Sequence, residues 1–116
     1  MLETDCIFCK IARREIPAEI LHESDHIVGF RDADPKAPTH ILLIPKTHLS
    51  SIADVTEGDG GMLIDLFRAA AHLAETEGIA VGGWRLVTNV GADGGQSVFH
   101  LHFHLMGGRQ MAWPPG

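Results

Sequence analysis

A chain of 116 residues, 45% of them hydrophobic, suffices for a single α+β domain over residues 1–116 that buries roughly two-thirds of the unfolded chain's surface. A net charge of −6 excludes partners held by a broad basic surface, nucleic acid and acidic membrane among them, so any anion must be captured by local geometry. Met1 to Asp5 carry no basic and apolar leader, and no later apolar run is long enough to span a bilayer, so a cytoplasmic protein is expected.

Cys6 to Arg14 reads as a turn entering a short helix, which stops before Ile16 because Pro17 holds the preceding residue in extended backbone. Glu19 to His22 and Ile27 to Arg31 read as two strands around a turn at Glu23, Ser24 and Asp25. His40 to Ile44 is a third strand, bounded upstream by Pro38 and ended by Pro45. Asp59 is placed to cap a long helix in which Met62, Leu63, Leu66, Phe67, Ala70, Leu73 and Ala74 make one apolar stripe, and Gly78 ends it. Trp84 to Asn89 and His100 to Met106 are the last two strands, and their antiparallel pairing would bring Asn89 and Ser97 near one face of the sheet.

That last strand carries the chemistry. From His100 to Met106, imidazole alternates with apolar side chains, and a strand's period of two sends His100, His102 and His104 to one face at roughly 7 Å spacing. Leu101, Phe103 and Leu105 face the opposite way, into a core. Upstream lies the glycine-rich connection Gly91 to Ser97. It reads either as a plain flexible hairpin loop or as a cradle in which amides around Gly95, with Gln96 and Ser97, hold a phosphate without a lysine. Cys6 and Cys9 form a C-x-x-C pair, which in a reducing compartment suits metal or redox chemistry, or else two inert packing thiols. His22, His26 and His72 read as solvated, and His40 could back the histidine face from a neighbouring strand.

The run His100 to Met106 resembles the motif of the histidine triad (HIT) nucleotide-binding proteins, and the rest is similar to their Hint branch. Supporting stretches are Ile16 to Ile20, Ala37 to Pro45, Asp93 to Phe99 and the tail Gly107 to Gly116. Ala112 departs from close relatives and bears on substrate preference. The resemblance implies a HIT-like fold: an antiparallel sheet of about five strands with one long and one short helix. It also implies a hydrolase of purine nucleoside phosphoramidates or aminoacyl adenylates, releasing AMP or GMP through a nucleotidyl-histidine.

In that scheme His102 is the nucleophile, a largely neutral imidazole that needs no strong base, and His100 orients the triad. His104 and nearby amides stabilise phosphoryl charge, Ser97 serves the departing amine, and Asn89 and Gln96 lie around the phosphate. Asp32 would accept from the ribose hydroxyls, and Phe8, Ile11, Phe30 and Leu42 would form the base slot. His48 and His100 match the histidines that complete a structural zinc site with Cys6 and Cys9 in HIT proteins that keep the cysteines. The resemblance and the apolar stripe of the long helix imply a two-fold homodimer. Three alternatives stay open: a nucleotide-dependent regulatory module, a catalytic metal held by His100 and His102, and cleavage of dinucleoside polyphosphates.

Overall fold

In the computed structural model, which describes residues 5–116, the chain runs through α1 (Ile7–Ala12), β1 (Ile20–Glu23), β2 (Ile27–Arg31), β3 (Thr39–Pro45), two 3-10 turns (Ile52–Asp54 and Glu57–Asp59), α2 (Gly60–Thr76), β4 (Trp84–Thr88) and β5 (Phe103–Gly107). The reading of Met1 to Asp5 as lacking a leader falls mostly outside the described residues. All neighbouring strands pair antiparallel, in the order β1-β2-β3-β5-β4. The α+β class, the five strands and the two helices of unequal length match the expectation. Among the described residues, no helix is long and apolar enough to cross a membrane.

The sheet separates two cores. Ile27, Ile41, Leu43, Leu101, Phe103 and Leu105 point to one face, where Leu66, Ala69, Ala70, Leu73 and Ala74 of α2 cover them. Val28, Phe30, Leu42 and Ile44 point to the other, against Cys6, Phe8, Cys9 and Ile11 at α1. β3 is buried along its whole length because it is central and covered on both faces, which explains its unbroken apolar run. The register sets His104 opposite Leu42 on one side and Val87 on the other.

Besides shifts of one or two residues at other element ends, four differences from the sequence reading have a clear physical reason. The β5 ladder begins at Phe103 and not at His100, since the Leu101 amide donates to the Leu49 carbonyl at 2.6 Å and the Thr88 hydroxyl donates to the His102 carbonyl at 2.7 Å, both outside the ladder. Pro45 is the last residue of β3, paired opposite Ile27, where its missing donor is tolerated at a strand end. Asp59 is the N-cap residue of α2 as expected, but its side chain makes no capping bond there; its carboxylate accepts the Thr56 amide at 2.9 Å and closes the preceding 3-10 turn. Phe67 lies at the margin of the stripe, 45% exposed, touching Phe103 edge-on while Leu66 and Ala70 take the buried positions. Gly78 does end α2, with φ +77° in the left-handed region that favours glycine.

Candidate active site

A bend at His100, the two residues that follow it and the start of β5 set the three imidazoles on the α1 face, and each ring is held by a different partner. His102 Nδ1 lies 2.7 Å from the His100 carbonyl, so Nδ1–H donates and the lone pair resides on Nε2. His104 has the opposite arrangement. The Lys36 amide donates to His40 Nδ1 at 3.0 Å, which puts the His40 proton on Nε2; that Nε2–H donates to His104 Nδ1 at 2.9 Å, leaving the His104 proton on Nε2. The rings of His102 and His104 stand 5.1 Å apart, centroid to centroid. One therefore offers a lone pair and the other an N–H.

Both rings line a cavity of about 520 Å³, within the roughly 300–1,000 Å³ of small-molecule sites. Phe8, Ile11, Phe30 and Leu42 form apolar walls as the sequence suggested, and Ile7, Ile16, Pro17 and Ala18 complete them. Ile16 to Ala18 were missed as wall residues because a loop carries no periodicity to mark which side chains turn inward. Asp32 lines the same cavity, with its Oδ1 accepting the Asp34 amide at 2.8 Å and its Oδ2 3.4 Å from His40 Nε2. Phe8 meets His102 edge-on at 5.1 Å and Phe30 at 5.6 Å.

The glycine-rich loop reaches the cavity through Ser97 and Val98 alone. Asn89, Gly95 and Gln96 are not in its lining. Gln96 is buried and spends its polar atoms on the loop, accepting the Gly91 amide at 2.9 Å and donating to the Ser50 and Val98 carbonyls at 2.7 and 3.1 Å. Asn89 donates to the Gly94 carbonyl at 2.7 Å across the loop's neck, and the Gly95 and Gln96 amides donate back to Ala92 and Gly91. At Gly94 a Cβ would lie 2.3 Å from the Val90 carbonyl oxygen, so only glycine lets the chain pass there. These residues shape the loop that presents Ser97.

His100, fully buried, belongs to a second cluster. Its Nε2–H donates to the Pro45 carbonyl at 2.9 Å, which turns the Nδ1 lone pair toward Cys6 Sγ at 3.3 Å and Cys9 Sγ at 3.5 Å; His48 Nδ1 lies 3.4 Å from Cys9 Sγ. The four ligand atoms lie within 4.8 Å of one another. Burial pushes the His100 imidazole down to about 4, against the pull of the Pro45 carbonyl, so the ring is neutral. Two sulfurs and two imidazole nitrogens gathered this closely are a zinc-type donor set.

Asp32, His40 and His104 also lie close enough to share an ion, but the Lys36 amide holds the His40 proton on Nε2, where a metal would need a lone pair. The trio is a hydrogen-bond relay. His22 corrects the expectation of a solvated ring, since its Nε2 is buried with no hydrogen-bond partner among the described residues, while His26 and His72 are exposed.

Burial first, then the neighbouring His102 and His40 rings, push His104 down to about 4, and burial likewise lowers His40. An unfolded histidine titrates near 6.5, so as pH falls from about 6.5 to 4 the unfolded chain takes up protons that the folded rings refuse. Stability should drop across that window. Urea denaturation midpoints at pH 7 and pH 5 should fall more in the native protein than in His104→Asn; equal falls would remove His104 as a cause.

The comparisons with known proteins agree with this geometry. A HIT domain model matches residues 13–111. The purine nucleoside phosphoramidase of Escherichia coli K12 is 46% identical over 107 residues, covering 92% of this chain and 90% of that one. An uncharacterized HIT-like protein of Synechococcus elongatus is 47% identical over 115 residues, covering 99% of this chain and all of that one. The crystal structure of a HIT family hydrolase from Legionella pneumophila superposes with a TM-score of 0.94 at 52% identity, over 97% of this chain and 100% of that one. The alternating histidines, the sheet that carries them and the match over most of the chain together make this protein a member of the HIT family.

Proposed function

We infer that the protein hydrolyses nucleoside 5′-monophosphate derivatives, purine nucleoside phosphoramidates or aminoacyl adenylates, through a nucleotidyl-His102 intermediate. The observation that carries this reading is the pair of opposite tautomers, a lone pair on His102 Nε2 beside an N–H on His104 Nε2, in one cavity with apolar walls and a carboxylate. The phosphoramidase name of a 46% identical relative supports it.

The chain's own groups account for each step. Phe8, Ile11, Phe30 and Leu42 hold the base by apolar burial, and Asp32 accepts from the ribose hydroxyls. His102 Nε2 attacks phosphorus, forming a phosphorus–nitrogen bond as the bond to the substrate's amine breaks; the amine leaves with a proton, for which the Ser97 hydroxyl is the adjacent donor. His104 Nε2–H donates to a phosphoryl oxygen as negative charge builds, and the relay through His40 to the Lys36 amide keeps that proton in place. Transfer of Nδ1–H density to the His100 carbonyl steadies the positive charge on the substituted His102 ring. Water then attacks phosphorus, returning a proton to the Ser97 oxygen while its hydroxyl stays as AMP or GMP forms and His102 leaves as neutral imidazole. Cys6, Cys9, His48 and His100 would hold zinc, which supplies a structural crosslink between α1 and the catalytic segment and takes no part in the reaction.

The His100 and His102 pair does not suit a shared catalytic metal, because His102 Nδ1 is turned to a carbonyl and His100 Nδ1 to the sulfurs. Phosphorus NMR of adenosine 5′-phosphoramidate incubated with the protein tests the reading: conversion to AMP is expected. AMP binding without conversion would point to the regulatory module, and faster cleavage of a diadenosine polyphosphate would move the substrate class.

The homodimer belongs to the same reading. β4 is an edge strand, and Trp84 on it, with Phe67 of α2, is an exposed large hydrophobic on the α2 side. The tail is anchored where the Arg85 guanidinium donates to the Ala112 carbonyl, and Trp113 beyond it is 83% exposed. Light scattering should give a dimer at micromolar concentration, and deleting residues 110–116 should change selectivity among leaving groups more than stability. A monomer, or unchanged relative rates, would count against it.

A further inference from the structure

The six residues of α1 serve two sites at once. Cys6, its N-cap, and Cys9 point to the metal cluster, while Phe8 and Ile11, interleaved with them, form walls of the nucleotide cavity. Phe8 sits between the two sulfur ligands in sequence and touches both histidine systems, His102 at 5.1 Å and His100 at 6.0 Å between ring centroids.

A helix of one and a half turns does not hold itself in water, so the position of α1 is set by what its side chains grip. We propose that α1 makes the metal and nucleotide sites thermodynamically coupled, each filled site fixing the helix in the position the other requires. The proposal rests on the reading that the cluster holds zinc and the cavity a nucleotide, and it adds regulation of that site by metal supply. Because linkage is reciprocal, the factor by which zinc tightens AMP binding must equal the factor by which AMP tightens zinc binding. With α1 loosened, one wall of the base slot and the edge contact on the nucleophile's ring are lost together, while Phe30 and Leu42 stay on the sheet and Asp32 stays at the end of β2.

Calorimetric titration of AMP into zinc-loaded and chelator-stripped protein tests this, paired with competition for zinc by a chromophoric chelator with and without saturating AMP. AMP should bind the stripped protein about tenfold more weakly, and AMP should raise zinc affinity by the same factor. Amide hydrogen exchange should rise in α1 of the stripped protein, at Lys10 and Arg13, which donate to Cys6 and Cys9 carbonyls, with β3 and β5 still protected. Phe8→Ala keeps all four ligands and should hold zinc while its coupling factor falls toward one. Equal AMP affinity in both forms, a coupling factor retained in Phe8→Ala, or loss of β3 and β5 protection along with α1 would overturn the coupling. Absence of AMP binding in both forms, or of zinc in the isolated protein, would instead overturn the reading on which it rests.

Discussion

Replacing His102 by alanine is expected to lower turnover of adenosine 5′-phosphoramidate by on the order of a thousandfold or more while AMP binding remains measurable. The substitution removes the atom that bonds to phosphorus and nothing else from the ribose and base contacts. His102 is 5% exposed and packed against Phe8, so affinity should weaken by a few-fold through lost wall contact, well short of the loss in rate. His104→Ala should cost less. It deletes a donor to the phosphoryl oxygens, an effect of the order of 100-fold in comparable electrostatic sites, and leaves the bond-forming nitrogen in place. Steady-state rates and calorimetric AMP affinities on both variants check the order, and retained turnover in His102→Ala would remove the assignment.

Cys9→Ser should be the most destabilising single change at the metal cluster. Cys9 is 3% exposed and its sulfur faces both His48 and His100, so a hydroxyl in its place is a poor zinc ligand that is also buried. The native protein should carry close to one zinc per chain, and the variant almost none. Ligand linkage gives about 4 kcal/mol when free metal exceeds its dissociation constant about a thousandfold, which for a domain of this size lowers Tm by roughly 10–20 °C. Elemental analysis with scanning calorimetry reads both quantities. No metal in the native protein, with both thiols freely reactive in the folded state, would leave the cysteines as packing residues.

The histidine face was legible in the sequence because period-two alternation is a local property: each of Leu101, Phe103 and Leu105 had to find a core, and the imidazoles took the other side. The helix α2 was legible for the same reason, except at its margin, where Phe67 and Ala69 exchange the roles that a simple stripe gives them. What was not legible depends on contacts between distant segments. The sequence suggested that His40 could back the histidine face from a neighbouring strand, as it does, but its hydrogen bond to His104 depends on the β3–β5 register that sets Leu42 opposite His104, which neither strand alone fixes. Gln96 has the composition of a phosphate ligand, yet its amide is consumed by Gly91, Ser50 and Val98 within the loop's own scaffold. Side-chain amides satisfy whichever buried groups lie near, and residue type does not tell which.

The central claim is that His102 Nε2 forms a bond to phosphorus during turnover. Intact-protein mass measurement after rapid quench in denaturant at alkaline pH, where a phosphorus–imidazole bond survives, tests it most directly on the protein with adenosine 5′-phosphoramidate, using His104→Ala if the native intermediate is too short-lived to accumulate. The account predicts an added mass of one adenylyl group, located by peptide mapping to His102 and absent in His102→Ala. Turnover to AMP with no adduct in either protein, or an adduct on another residue, would contradict it.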